Sequence, residues 1–173
     1  MNLHVVAYPE LSAADYSKIQ AERKVHNSLY SVIEPHFTIV FSVQGMEAGN
    51  FIAEIAKQSG AVPRIEFCLR CAVIVKDSFS NNYDAFLVPD EGYSRIVKLH
   101  DKLYSGSLSP HHRLDVCYIP HISIGYSPDM QIIKEIADQW NANDFAICGT
   151  IPALDIINYE NRVVTTLERV GLG

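Results

Sequence analysis

The octapeptide Pro35-His36-Phe37-Thr38-Ile39-Val40-Phe41-Ser42 returns 85 positions later as Pro120-His121-Ile122-Ser123-Ile124-Gly125-Tyr126-Ser127. Proline, histidine, one isoleucine and the final serine are identical; three further pairs exchange like for like, and only Val40 against Gly125 is a true mismatch. Each copy sets a titratable ring two residues before a hydroxyl. In an extended strand such residues share a face, so His36 projects with Thr38 and His121 with Ser123, while Phe37, Ile39, Ile122 and Ile124 turn to a core. Two such strands side by side predict one pocket holding two histidines and two hydroxyls.

Similar elements surround both copies. Leu3 to Tyr8 reads as a strand, and Ser12 with Asp15 marks a helix start for Ala13 to about Asn27. In the second half Tyr83 to Val88 reads as a strand, and Tyr93, Ile96, Val97, His100, Leu103 and Tyr104 form a helical stripe. Helical patterns follow each octapeptide, at Phe51-Ile52-Ile55-Ala56 and at Ile132-Ile133-Ile136-Ala137-Trp140. Strands from Ile65 to Val75 and from Phe145 to Ile157 close the halves, with an extra strand from Val163 to Val170. Two copies cannot make a solenoid. The expected architecture is therefore α+β: a single domain over residues 1–173, with two pseudo-symmetric lobes at roughly 1–80 and 81–173. Each lobe is expected to be a mostly antiparallel sheet with flanking helices, and the active cleft to lie between them.

Composition bounds what the pocket serves. At 173 residues and 48% hydrophobic content the chain can bury one substantial core. No apolar run approaches membrane-spanning length and the first residues open directly as a strand, so a soluble, cytoplasmic protein is expected, monomeric and without membrane partners. The net charge of −6 argues against extended nucleic-acid binding, whereas a small phosphorylated ligand or a nucleic-acid end needs only a local patch. Of the four cysteines, Cys68 and Cys71 form a C-x-x-C whose members face opposite sides of a strand, and buried free thiols are expected throughout. Lys18, Arg23, Lys24 and His26 read as a solvated basic face, His100 as a satisfied core histidine, and His111 and His112 as exposed loop residues or part of a lid.

The pair His36-Phe37-Thr38-Ile39 and His121-Ile122-Ser123-Ile124 resembles the signature of the two-histidine (2H) phosphoesterase superfamily, H-x-[ST]-x with apolar x, one per lobe. The resemblance implies a phosphodiesterase needing neither metal nor cofactor. Its substrates would be 2′,3′-cyclic phosphates, related cyclic phosphodiesters or 2′-5′ linkages, carried by a small nucleotide or an RNA 3′-end. The bacterial branch usually called 2′-5′ RNA ligase often carries arginine five residues after the second histidine. Here Tyr126 stands there, which looks more like the branch opening cyclic phosphates of nucleotides or ADP-ribose. Strict alternation puts Tyr126 opposite His121, so a substrate-binding role requires a bulge near Gly125.

The chemistry fits these residue types in its own right. Opening a cyclic phosphodiester needs a base for the attacking water and an acid for the leaving ribose oxygen. Imidazoles with pKa near 6.5 supply both forms around neutrality. Thr38 and Ser123 can donate to the non-bridging oxygens. Competing readings are a 2′-5′ RNA ligase-type enzyme, a non-catalytic nucleotide-binding module, and a metal enzyme ligated by His36 and His121. The last has only Glu34 and Asp115 as nearby acids.

Overall fold

Nine strands and four α-helices carry the alternating and helical patterns into three dimensions, in a computed structural model that describes residues 1–173. In chain order these are β1 (Leu3–Ala7), β2 (Glu10–Leu11), α1 (Ala13–His26), β3 (Phe37–Val43), α2 (Ala48–Ser59), β4 (Ile65–Lys76) and β5 (Tyr83–Glu91). They continue as α3 (Tyr93–Leu103), a 3₁₀ turn (Gly106–His111), β6 (Ile122–Ser127), α4 (Met130–Asn141), β7 (Ile147–Ile151), β8 (Ala153–Glu160) and β9 (Val163–Gly171). The helix starts follow from side-chain caps: the Ser12 hydroxyl accepts from the Asp15 N–H, and the Asp129 carboxylate from the Gln131 N–H. The expected strand from Phe145 to Ile157 is two strands, because Pro152 cannot donate to a ladder and the chain changes sheets there. No helix is long and apolar enough to cross a membrane.

One sheet runs β3-β1-β8-β9 and the other β2-β7-β4-β5-β6, with antiparallel pairings throughout. The two sheets do not follow the two halves of the chain. β4, which ends the first half, pairs with β5 of the second; β8, from the second half, pairs with β1 of the first. Each half thus donates its closing strand to the other sheet. The helices cross in the same sense, α1 packing along β6 and α3 along β3. A cluster of 32 buried apolar residues runs through both halves, from Leu3 and Phe37 to Ile124 and Leu154.

Both octapeptides lie on sheet edges, β3 bounding one sheet and β6 the other. An edge strand leaves peptide groups without ladder partners. On β3 aromatic side chains meet them: Tyr118 Oη donates to the Thr38 carbonyl at 3.0 Å, Tyr104 Oη accepts from the Phe41 N–H at 2.9 Å, and His100 Nδ1 reaches the Ile39 carbonyl at 2.8 Å. His100 is thus the satisfied core histidine expected. On β6 the Asn27 amide reaches the Ser123 carbonyl at 3.4 Å.

The cysteine expectation is overturned. Cys68 stands opposite Cys148 in the β4–β7 ladder and the two are joined by a disulfide, while Cys71 and Cys117 are free and exposed. The partner came from a strand 80 residues away, which C-x-x-C spacing could not reveal.

Strand donation makes each half the completing template of the other. Fragments 1–80 and 81–173, expressed separately, should each lack dispersed amide NMR signals and a cooperative thermal transition, and should regain both on mixing. A cooperative transition in either fragment alone would refute this.

Candidate active site

Each motif histidine sits one residue before its strand, directly after Pro35 or Pro120. A residue preceding proline is held extended, and in both copies its carbonyl accepts from the histidine. His36 Nδ1 lies 2.7 Å from the Glu34 oxygen and His121 Nδ1 2.5 Å from the Ile119 oxygen. A carbonyl only accepts, so Nδ1 carries the proton and Nε2 is the basic nitrogen of each neutral ring. The proline before each histidine was the sequence signal for this arrangement.

Alternation then breaks at the same place in both copies. In the β1–β3 ladder Val6 opposes Thr38 and Val5 opposes Val40, leaving Ile39 extra; in the β5–β6 ladder Phe86 opposes Ser123 and Ala85 opposes Gly125, leaving Ile124 extra. Two consecutive residues are buried at each bulge, Ile39-Val40 and Ile124-Gly125. The bulge returns the next residue to the face of the histidine. His36, Thr38 and Phe41 accordingly line one cavity of about 530 Å³ together with His121, Ser123 and Tyr126. At Gly125, the counterpart of Val40, a Cβ would come within 2.8 Å of Ile136 Cδ1 on α4, so that side-chain tip would have to shift.

The two halves differ in charge and in hydrogen bonding. Burial pushes both catalytic-candidate rings down to about 4, so each is neutral at pH 7 in the free protein, and the expected mixture of charge forms near neutrality does not hold there. Thr38 faces the cavity with an uncommitted hydroxyl. Ser123 is engaged: it accepts from the Asn27 amide at 3.2 Å and bonds Asp84, whose carboxyl burial and Asp77 raise to about 7. Tyr126 Oη is tied to Ser80 at 2.9 Å and Asp77 at 3.3 Å in the β4–β5 hairpin, so its ring serves as wall.

Several cavity residues had escaped the sequence reading. Phe86 stacks on the His121 ring at 3.5 Å. His4 and Asp84 occupy equivalent places, two residues before Val6 and Phe86; burial lowers His4 to about 4, and its Nε2 is buried without a partner. Arg23, expected on a solvated face, is 2% exposed and walls the cavity. Its spacing of four from buried Ile19 was the available signal. His111 and His112 are not among the cavity-lining residues, and His112 stacks on Tyr104 instead. His100, Asp101 and His112 bring ligand atoms within 4.8 Å of one another behind β3.

Residues 8–162 match the 2′-5′ RNA ligase superfamily. No curated protein matches in sequence. Among solved structures, TT0787 of Thermus thermophilus is similar at 14% identity and a TM-score of 0.66, over 99% of this chain and 98% of that one. LigT of E. coli is similar in its apo form at 14% identity and TM-score 0.57, over 99% and 96% of the two chains. Its complex with 3′-AMP gives 16% and 0.54, over 99% and 97%.

The depressed histidines link stability to pH. His4, His36 and His121 titrate near 6.5 when unfolded and near 4 when folded, so between those values the unfolded chain binds protons that the native state refuses. Asp84 opposes this, its folded value of about 7 lying above its ordinary 3.8. Burial also lowers His100 and raises Asp155, so four histidines stand against two carboxyls, and stability should fall as pH drops from 6.5 towards 4. The urea midpoint should be lower at about pH 5 than at about pH 7, and less so in the His36→Asn/His121→Asn double variant. An equal or higher midpoint at the lower pH would contradict the assignment.

Proposed function

We propose that this chain, which belongs to the 2′-5′ RNA ligase superfamily, is a metal-independent phosphodiesterase that opens cyclic phosphodiesters through His36 and His121 as an acid–base pair. The observation that carries this reading is the duplicated geometry. Two histidines, each with Nδ1 pinned to the carbonyl before its proline and Nε2 left basic, share one cavity with a hydroxyl beside each.

In the proposed reaction one Nε2 takes a proton from the attacking water while the other ring, protonated, delivers one to the departing ribose oxygen on the opposite side of phosphorus. Both rings are neutral in the free protein, so the substrate's own negative charge must raise the pKa of the acid ring and recruit its proton. Thr38 donates to a non-bridging oxygen. Ser123 can do likewise when a protonated Asp84 donates to it and releases its hydroxyl hydrogen; a carboxyl near 7 reaches that form readily at neutral pH.

The cavity volume of about 530 Å³ suits a small molecule. The substrate class proposed is a nucleoside 2′,3′-cyclic phosphate or ADP-ribose cyclic phosphate. Supporting the nucleotide size, LigT has been crystallised with 3′-AMP, ATP and NADP+. Phe41, Phe86 and the 60% exposed Phe79 offer faces on which a base can stack. The second reading, favoured by the family match itself, is an RNA 3′-end-processing or 2′-5′ RNA ligase-type enzyme.

His36→Ala and His121→Ala should each lower kcat/KM by about 10²–10⁴-fold, and the double variant should be little worse than either single one. Steady-state kinetics with a mononucleoside 2′,3′-cyclic phosphate measure this, and near-normal turnover in either variant breaks the pairing.

Substrate length separates the two readings. With a net charge of −6 and one cavity, kcat/KM should be no higher for a cyclic-phosphate-terminated oligonucleotide than for the mononucleotide, and should depend weakly on salt. A steep climb with length that collapses on adding salt would favour RNA processing.

A further inference from the structure

Arg23 is the bulkiest fully buried side chain in the protein and carries a permanent charge. Its Nη1 donates to Gln20 Oε1 at 2.7 Å and its Nη2 to the Ile33 carbonyl at 2.6 Å, while Nε is buried without a partner. It takes part in none of the protein's ion pairs. Glu34, the acid nearest in influence, has its carboxylate held by the Tyr16 hydroxyl and by the Gln20 amide at 2.9 Å. Burying a guanidinium whose direct hydrogen-bond acceptors are neutral is unfavourable, and burial indeed lowers its pKa.

The scaffold does not demand that charge. α1 and α3 are counterparts, and each ends in a cap whose N–H bonds the carbonyl four residues back: Asn27 to Arg23 on α1, and Tyr104 to His100 on α3. Arg23 and His100 therefore occupy the same place in the two halves, and both are 2% exposed. In one half the position is filled by a ring whose Nδ1 bonds the Ile39 carbonyl; in the other it holds a guanidinium that forms no ion pair.

Its surroundings say what would compensate it. Arg23 walls the cavity that contains both histidines, and its charge is felt at His36. One turn further along the same helix face, Asn27 reaches Ser123 Oγ. The strip Arg23–Asn27 thus runs from the first motif to the second. We propose that Arg23 and Asn27 form an anion-binding strip on α1, in which the Arg23 guanidinium pairs with the non-bridging oxygens of a phosphoryl group held between the motifs. A guanidinium fork matches phosphate oxygens and supplies the positive charge that neither Phe41 nor Tyr126 can. The assignment rests on reading the cavity as a phosphate site, and it draws the phosphoryl group towards α1.

Inorganic phosphate is the probe, titrated by calorimetry into the full chain. Wild type should bind it, Arg23→Met at least tenfold more weakly, and Arg23→Lys, which keeps the charge but not the fork, in between. Unchanged affinity in Arg23→Met, or no binding by wild type, overturns the proposal. Should the methionine variant not fold, Arg23→Gln, which keeps an amide donor towards Ile33, takes its place with the same outcomes. Affinity lost with Arg23 in a protein that opens no cyclic phosphodiester leaves the anion strip standing and removes the reaction. Histidine-dependent hydrolysis alongside Arg23-independent affinity removes the strip and leaves the reaction.

Discussion

The pairing of β8 with β1 and of β4 with β5 is the constraint on which everything else hangs. It builds each sheet from both halves, so the two octapeptide strands end as the outer strands of two sheets held in fixed relation. The peptide groups left open along β3 and β6 are then met by side chains from α3, α1 and the segment before β6. The polar contacts that satisfy the motif strands are also contacts across the halves. Position and stability at the cavity are consequently supplied by the same bonds.

Removal from water sets the electrical character of that cavity. Burial holds His4, His36 and His121 neutral, holds Asp84 near 7 and leaves Arg23 charged and outside any ion pair. A cavity with neutral imidazoles and one buried cation is poised for an arriving anion, because the anion raises the basicity of the rings as it offsets the arginine. Ligand charge and proton inventory are thereby coupled.

Much of this was legible in the residues. The doubled octapeptide carried both histidines and both hydroxyls to one pocket, and the apolar spacing located the helices. Tyr126 depended on a bulge that Gly125 permitted but did not require; the pairing registers supply it, and β3 carries the same bulge at Ile39 with no glycine at all. What could not be read was non-local. Cys148 lies opposite Cys68 only because β7 pairs with β4, and Arg23 is buried only because α1 crosses to β6. Local pattern reports which face of an element is apolar, whereas the identity of the covering element is fixed by topology. Strand exchange between the halves was hidden for that reason too, since it leaves no trace in composition.

Fusing both copies into one chain has a consequence for what each can become. In a two-fold homodimer every position is present twice, and any substitution alters both sides together. Covalent linkage lifts that equivalence: Arg23 faces His100, His4 faces Asp84, Thr38 faces Ser123 and Val40 faces Gly125 across the pseudo-axis. A cyclic phosphodiester is itself unsymmetrical, with water entering on one side of phosphorus and a sugar oxygen departing on the other. In the reaction proposed for this cavity, two matched rings in unlike surroundings would give the entering and departing groups different neighbours.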